Sequence, residues 1–144
     1  MKFRFPIIII DEDFRSENTS GLGIRALASA IENEGFEVLG VTSYGDLSQF
    51  AQQQSRASAF VLSIDDEEFT PGPELDPAVQ HLRDFIEEVR WKNDEVPIFL
   101  HGETKTSRHL PNDILRELHG FIHMFEDTPD FVAKHIIREA KSYL

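Results

Sequence analysis

Apolar residues fall along the chain in two rhythms: short unbroken runs, and longer stretches with spacings of three and four. The first run, FPIIIIDED (Phe5 to Asp13), holds four consecutive Ile and stops on three acids. A run without a period of two needs cover on both faces, as a central strand of a parallel sheet has. FEVLGV (Phe36 to Val41), AFVLSI (Ala59 to Ile64), VPIFLHG (Val96 to Gly102) and GFIHMF (Gly120 to Phe125) predict four further strands.

Helical spacing fills the gaps between them. SGLGIRALASAIENEGF places Leu22, Leu27, Ala28 and Ile31 on one stripe, with Gly35 set to end the helix in a left-handed cap. Ser43 can cap a short helix with Leu47, Phe50 and Ala51 inward. Val79, Leu82, Phe85, Ile86 and Val89 mark a long amphipathic helix from Ala78 to Lys92. PNDILRELHG predicts a short helix closed by Gly120. Thr128 and Pro129 open a last one, with Phe131, Val132, Ile136 and Ala140 on its apolar side. DDEEFTPGPELDP, after the third strand, reads as a surface loop.

Strand–helix alternation with short connections predicts a parallel sheet. The expected fold is an α/β, three-layer, flavodoxin-like or receiver-like sandwich of five strands in the order 2-1-3-4-5. At 144 residues it forms one domain, residues 1–144.

Composition narrows the function. With 26 acids against 14 Lys and Arg, the formal charge of −12 argues against a nucleic-acid surface. There is no Cys, so neither disulfides nor thiolate zinc sites arise. No stretch approaches the ~20 apolar residues that span a bilayer, and no export signal opens the chain, so a cytoplasmic location is expected.

Ligand sites in open α/β sheets lie beyond the carboxyl ends of the strands, where Asp11, Glu12 and Asp13 fall. An acidic first-strand end on such a fold resembles a response-regulator receiver. That resemblance implies an Asp ending strand three, a Ser or Thr after strand four and a Lys after strand five. Here strand three ends Ser63-Ile64-Asp65, putting Ile64 at the acceptor position and Asp65 one step late, on the opposite face. Strand four leads into His101-Gly102, with the first hydroxyl at Thr104. Strand five leads into Met124-Phe125-Glu126. The expectation is a solvated acidic strand end without phosphoryl chemistry, so neither a phosphorylatable receiver nor a metal site is predicted.

Other candidates are bland. Of the six His (81, 101, 109, 119, 123, 135), His119 and His123 are four apart, but a strand there keeps their rings from converging on zinc. His135 reads as a packing residue. Gly21 and Gly23 lack the third Gly of a dinucleotide fingerprint. Glu87 and Glu88 read as solvent-face charges. No nucleophile, base and oxyanion donor assemble, so no catalytic, cofactor-binding or metal residue is predicted.

NDEVPIFLHGET (Asn93 to Thr104) and FIHMFEDTPDFVAKHIIREAKSYL (Phe121 to Leu144) carry a further resemblance. The chain is similar to the N-terminal wing domain of bacterial inducible ornithine/lysine/arginine decarboxylases, closest to the arginine and lysine types. The resemblance implies a receiver-like fold without phosphorelay residues. It also implies a pyridoxal-phosphate-dependent parent enzyme for acid resistance and polyamine supply, its cofactor lysine lying beyond Leu144. This fragment would then be a non-catalytic piece of a longer protein, without its own cofactor, that contacts other subunits of a homo-oligomer. In some members of the family ppGpp binds at wing interfaces; Lys92, Lys105, Arg108 and Arg116 qualify here by charge alone. The alternative is a stand-alone pseudo-receiver that binds a signalling partner. The acidic excess adds one expectation of its own: protonation in mild acid lessens repulsion between subunits and favours association.

Overall fold

A computed structural model describes residues 5–42, 57–63, 77–92, 95–102, 110–123 and 127–143. Among the described residues nine elements follow in chain order: β1 (Ile7–Ile10), α1 (Thr19–Asn33), β2 (Val38–Val41), β3 (Ala59–Ser63), α2 (Pro77–Lys92), β4 (Ile98–Gly102), α3 (Asn112–Leu115), β5 (Gly120–His123) and α4 (Pro129–Tyr143). All strand pairs are parallel, in the order β2-β1-β3-β4-β5. The helix expected from Ser43 and the loop after β3 lie outside the described residues.

The four Ile of β1 explain the layering. Ile7 and Ile9 join one core with α1 and α4, while Ile8 and Ile10 join another with α2 and Ile114 of α3. All four are at most 2% exposed. Burying an Ile side chain is worth about 1.5–3 kcal/mol, so the run fixes β1 as an interior strand covered on both faces. Every residue expected on the inner stripe of α2 is buried.

Two stripes need correction. Leu22 is 59% exposed and Phe131 71% exposed, whereas Ile24, Ala133 and Ile137 are buried. At about 100° per residue, Leu22 stands roughly 140° from Leu27, outside the arc that meets the sheet. Phe131 lies equally far from Ile136. Gly35 does end α1, with φ of 98°, and its N–H donates to the Glu32 carbonyl at 2.9 Å. Gly120 does not close α3. It is already the first residue of β5, paired with Phe99, and a Cβ there would press on the Phe99 ring.

Candidate functional site at the carboxyl edge of the sheet

Register brings three polar side chains into one row. Ile10 pairs with Leu62, and Ser63 pairs with His101, so Asp11, Ser63 and His101 stand level just past the apolar part of β1, β3 and β4. Asp11 is 6% exposed and His101 7% exposed. A buried carboxylate needs donors. Ser63 Oγ donates to Asp11 Oδ2 at 2.9 Å, and the Asp13 N–H donates to Asp11 Oδ1 at 2.8 Å. His101 Nδ1 lies 3.7 Å from Asp11 Oδ2, close enough for charge to be felt but long for a hydrogen bond.

This corrects the expectation of a solvated strand end. Glu12 is exposed and Asp13 half-buried, but Asp11 belongs to the interior. Both its oxygens serve the fold: one ties β1 to β3, the other shapes the turn after β1. That turn is held further by Arg25, whose Nη1 donates to the Phe14 and Ser16 carbonyls, each at 2.7 Å. Asn18 caps α1 by accepting from the Gly21 N–H at 2.8 Å, and its Nδ2 donates to Asp13 Oδ1 at 3.2 Å. A Cβ on Gly21 would run into the carbonyl oxygens of Ser16 and Asp13, so the turn can close onto the helix only over a glycine.

A cleft of about 280 Å³ opens beside this row, between the first turns of α1 and α4. Thr19, Ser20, His101, Ile122, His123 and Thr128 are among its walls. His123 also leans on the Phe121 ring, with centroids 5.0 Å apart, and its N–H donates to Asp127 Oδ2. His119 points elsewhere: its Nδ1 accepts from the Ile98 N–H at 3.2 Å. Although the residue as a whole is exposed, partial desolvation of its ring, and then the neighbouring Arg90, hold its pKa below the ordinary value. The two rings keep different partners. Among the described residues, no three His, Asp or Glu gather as metal ligands would. His135 packs edge-on against Phe99, centroids 5.5 Å apart, and its Nδ1 lies 2.8 Å from Arg138 Nη2.

Several other predicted positions can be located. Gly21 and Gly23 lie within the opening turns of α1, Glu87 and Glu88 are exposed on α2, and Arg116 is exposed in the turn after α3. Gly102 ends β4 opposite His123. Ile64, Asp65, Thr104, Lys105, Arg108, His109, Met124, Phe125 and Glu126 lie outside the described residues, as do the side chains of His81 and Lys92. Nothing in the local sequence marks Ser63 and His101 as partners of Asp11. The usable signal was their position, each next to the end of an apolar run in a neighbouring parallel strand.

A five-stranded parallel sheet of this order is a frame that receiver domains also have, so comparison with known proteins is needed to place the chain. Residues 19–143 match the family model for the Orn/Lys/Arg decarboxylase N-terminal domain. The chain belongs to that family. Lysine decarboxylase LdcA of Pseudomonas aeruginosa is 26% identical over 144 residues, covering 98% of this chain and 18% of the relative. The biodegradative arginine decarboxylase of Escherichia coli is 27% identical over 139 residues, covering 95% of this chain and 18% of the relative. The solved structure of Lysine decarboxylase A from Pseudomonas aeruginosa superposes with a TM-score of 0.82 at 25% identity, over 99% of this chain and 19% of that one. A response regulator receiver domain from Clostridium thermocellum superposes with a TM-score of 0.66 at 11% identity, over 96% of each chain, a likeness of fold alone. The chain thus spans under a fifth of the length of the decarboxylases it matches. No helix among the described residues is long and apolar enough to cross a membrane.

Proposed function

We propose that this domain is the N-terminal assembly and regulatory part of a pyridoxal-phosphate-dependent decarboxylase. The substrate would be a basic amino acid: lysine, arginine or ornithine. The family match over residues 19–143 carries the reading. In it the enzyme is cytoplasmic, and the wing contacts other subunits of a homo-oligomer and offers a place for a regulatory nucleotide. Removing an α-carboxyl group consumes a proton and leaves an amine, which suits acid stress and polyamine metabolism.

The chemistry belongs to the rest of such an enzyme. Pyridoxal phosphate needs a lysine in an enclosed pocket, with a carboxylate for its ring nitrogen and donors for its phosphate. The lysines whose side chains are described, Lys134 and Lys141, are both exposed on α4. These residues do not fit the cofactor. Asp11, the one buried carboxylate among the described residues, is engaged by Ser63 and the Asp13 amide. A domain whose buried acid is committed to holding two strands together is suited to docking rather than to turnover.

The test is to express the full open reading frame with and without residues 1–144. Decarboxylation of lysine, arginine and ornithine is assayed beside the mass in solution. The expected result is a smaller assembly that retains activity on one of the three substrates. An unchanged number of subunits after deletion would overturn the assembly role, and no activity on any basic amino acid by the full-length protein would overturn the parent assignment.

A further inference from the structure

The outer face of α4 runs against the charge of the chain. Phe131, Lys134, Arg138 and Lys141 are all exposed there, Phe131 at 71%. At about 100° per residue the four fall within an arc of about 80°, turned away from the buried Ile136. Lys134 and Arg138 are four residues apart, and Arg138 and Lys141 three, so each cation repels the next. The described residues do not relieve that repulsion. No acid among them lies within ion-pair reach of Lys134, Arg138 or Lys141. Arg138 Nη2 gives one N–H to His135 Nδ1 at 2.8 Å, which adds no negative charge. Asp130 stands one turn before Lys134 without pairing with it. Glu139 lies near enough to His119 to act on its ring, and about 100° or more round the helix from every cation. Beside α4, α1 exposes Leu22 and Ala26 and carries no acid before Glu32. The result is a strip of three unanswered cations headed by an aromatic ring.

We infer that this face of α4 docks an acidic protein segment, with two or more carboxylates beside an aliphatic or aromatic side chain. Carboxylates laid along the strip answer the three cations at once, and the apolar neighbour covers Phe131. A nucleic acid or an anionic membrane is a poorer occupant. Each is an extended polyanion, which a chain of net charge −12 repels well beyond the strip itself. A second copy in two-fold contact through α4 would set cations against cations. The inference rests on the exposed side chains of α4 and not on the parent enzyme's identity, so either can fail alone.

The 144-residue protein is titrated into a short labelled peptide of Glu and Leu and, separately, into its Gln and Leu counterpart, with anisotropy as the readout. The expected result is saturable binding of the Glu peptide alone, weakened by added salt. F131A and the double change K134Q/R138Q should each lower its affinity roughly three- to tenfold. K134Q/K141Q, which leaves the Arg138–His135 contact in place, should do the same. R116Q, which removes an exposed cation beside α3 on the opposite face of the sheet, should change nothing. Four outcomes would overturn the inference: no binding of the Glu peptide, equal weakening by R116Q, an oligonucleotide of equal charge bound as tightly through the same residues, or self-association of the protein that K134Q/R138Q abolishes. Melting curves of each variant separate lost binding from lost fold.

Discussion

On one face of the sheet, α4 buries Val132, Ala133, Ile136, Ile137 and Ala140; on the other, the single turn of α3 buries Ile114 alone. Three large aliphatic side chains at about 1.5–3 kcal/mol each hold α4 without help from charge. One such side chain does not fix a helical turn against the entropy of ordering it, at about 1–2 kcal/mol per residue. On this side α2 supplies the difference through its arginines. Arg83 grips Asp113 with two nitrogens, at 2.6 and 3.3 Å. Arg90 donates to Glu117 Oε2, the Glu117 carbonyl and the Val96 carbonyl. The contrast teaches that helix length decides the means: a long amphipathic helix is held by area, a one-turn helix by directed bonds.

The comparison breaks most sharply at Ile136, which is 0% exposed. Ile136→Ala should lower stability by about 2–5 kcal/mol in denaturant titration. A loss below 1 kcal/mol would mean that α4 is held by something other than its buried face. Arg90 comes next. With its side chain 14% exposed and three acceptors to satisfy, Arg90→Ala should cost about 1–3 kcal/mol. Hydrogen exchange should quicken in residues 112–118 more than in α4. Arg83→Ala, on a more open pair, should cost under about 1 kcal/mol. If both arginines prove silent, directed bonds do not hold α3.

The smallest effect is one of pH. His119, in the turn between α3 and β5, has a pKa held below its ordinary 6.5 by partial desolvation of its ring and by Arg90. Protonation therefore favours the unfolded chain. The contribution is fully present above pH 6.5 and is lost as pH falls from there through the lowered folded value. His119→Phe should flatten that part of the Tm-against-pH curve between about pH 7 and 5, at the expense of the Ile98 N–H bond. An unaltered curve would place the titrating group elsewhere.

The sheet was legible because unbroken apolar runs such as IIII admit few environments, and strand–helix alternation fixes parallel pairing. The inner stripe of α2 was legible for the same reason, every member being apolar at helical spacing. Leu22 and Phe131 misled because hydrophobicity at a helix start says nothing about angle: Ile24 and Ala133 occupy the inward arc. The burial of Asp11 is not legible locally, because an acid next to two other acids resembles a solvated end. Its burial depends on Ser63, 52 residues away, which only register brings alongside. The Gly120 error has a similar origin, since a glycine that ends a helix and one that lets a strand pass an aromatic ring read alike.

Because β1 gives alternate side chains to the two cores, neither layer has a strand of its own there to keep when the other melts. Loosening Ile8 displaces the backbone that positions Ile7 and Ile9. The domain should therefore lose both layers in a single cooperative transition, the same whether it is followed through the helices on one side or on the other.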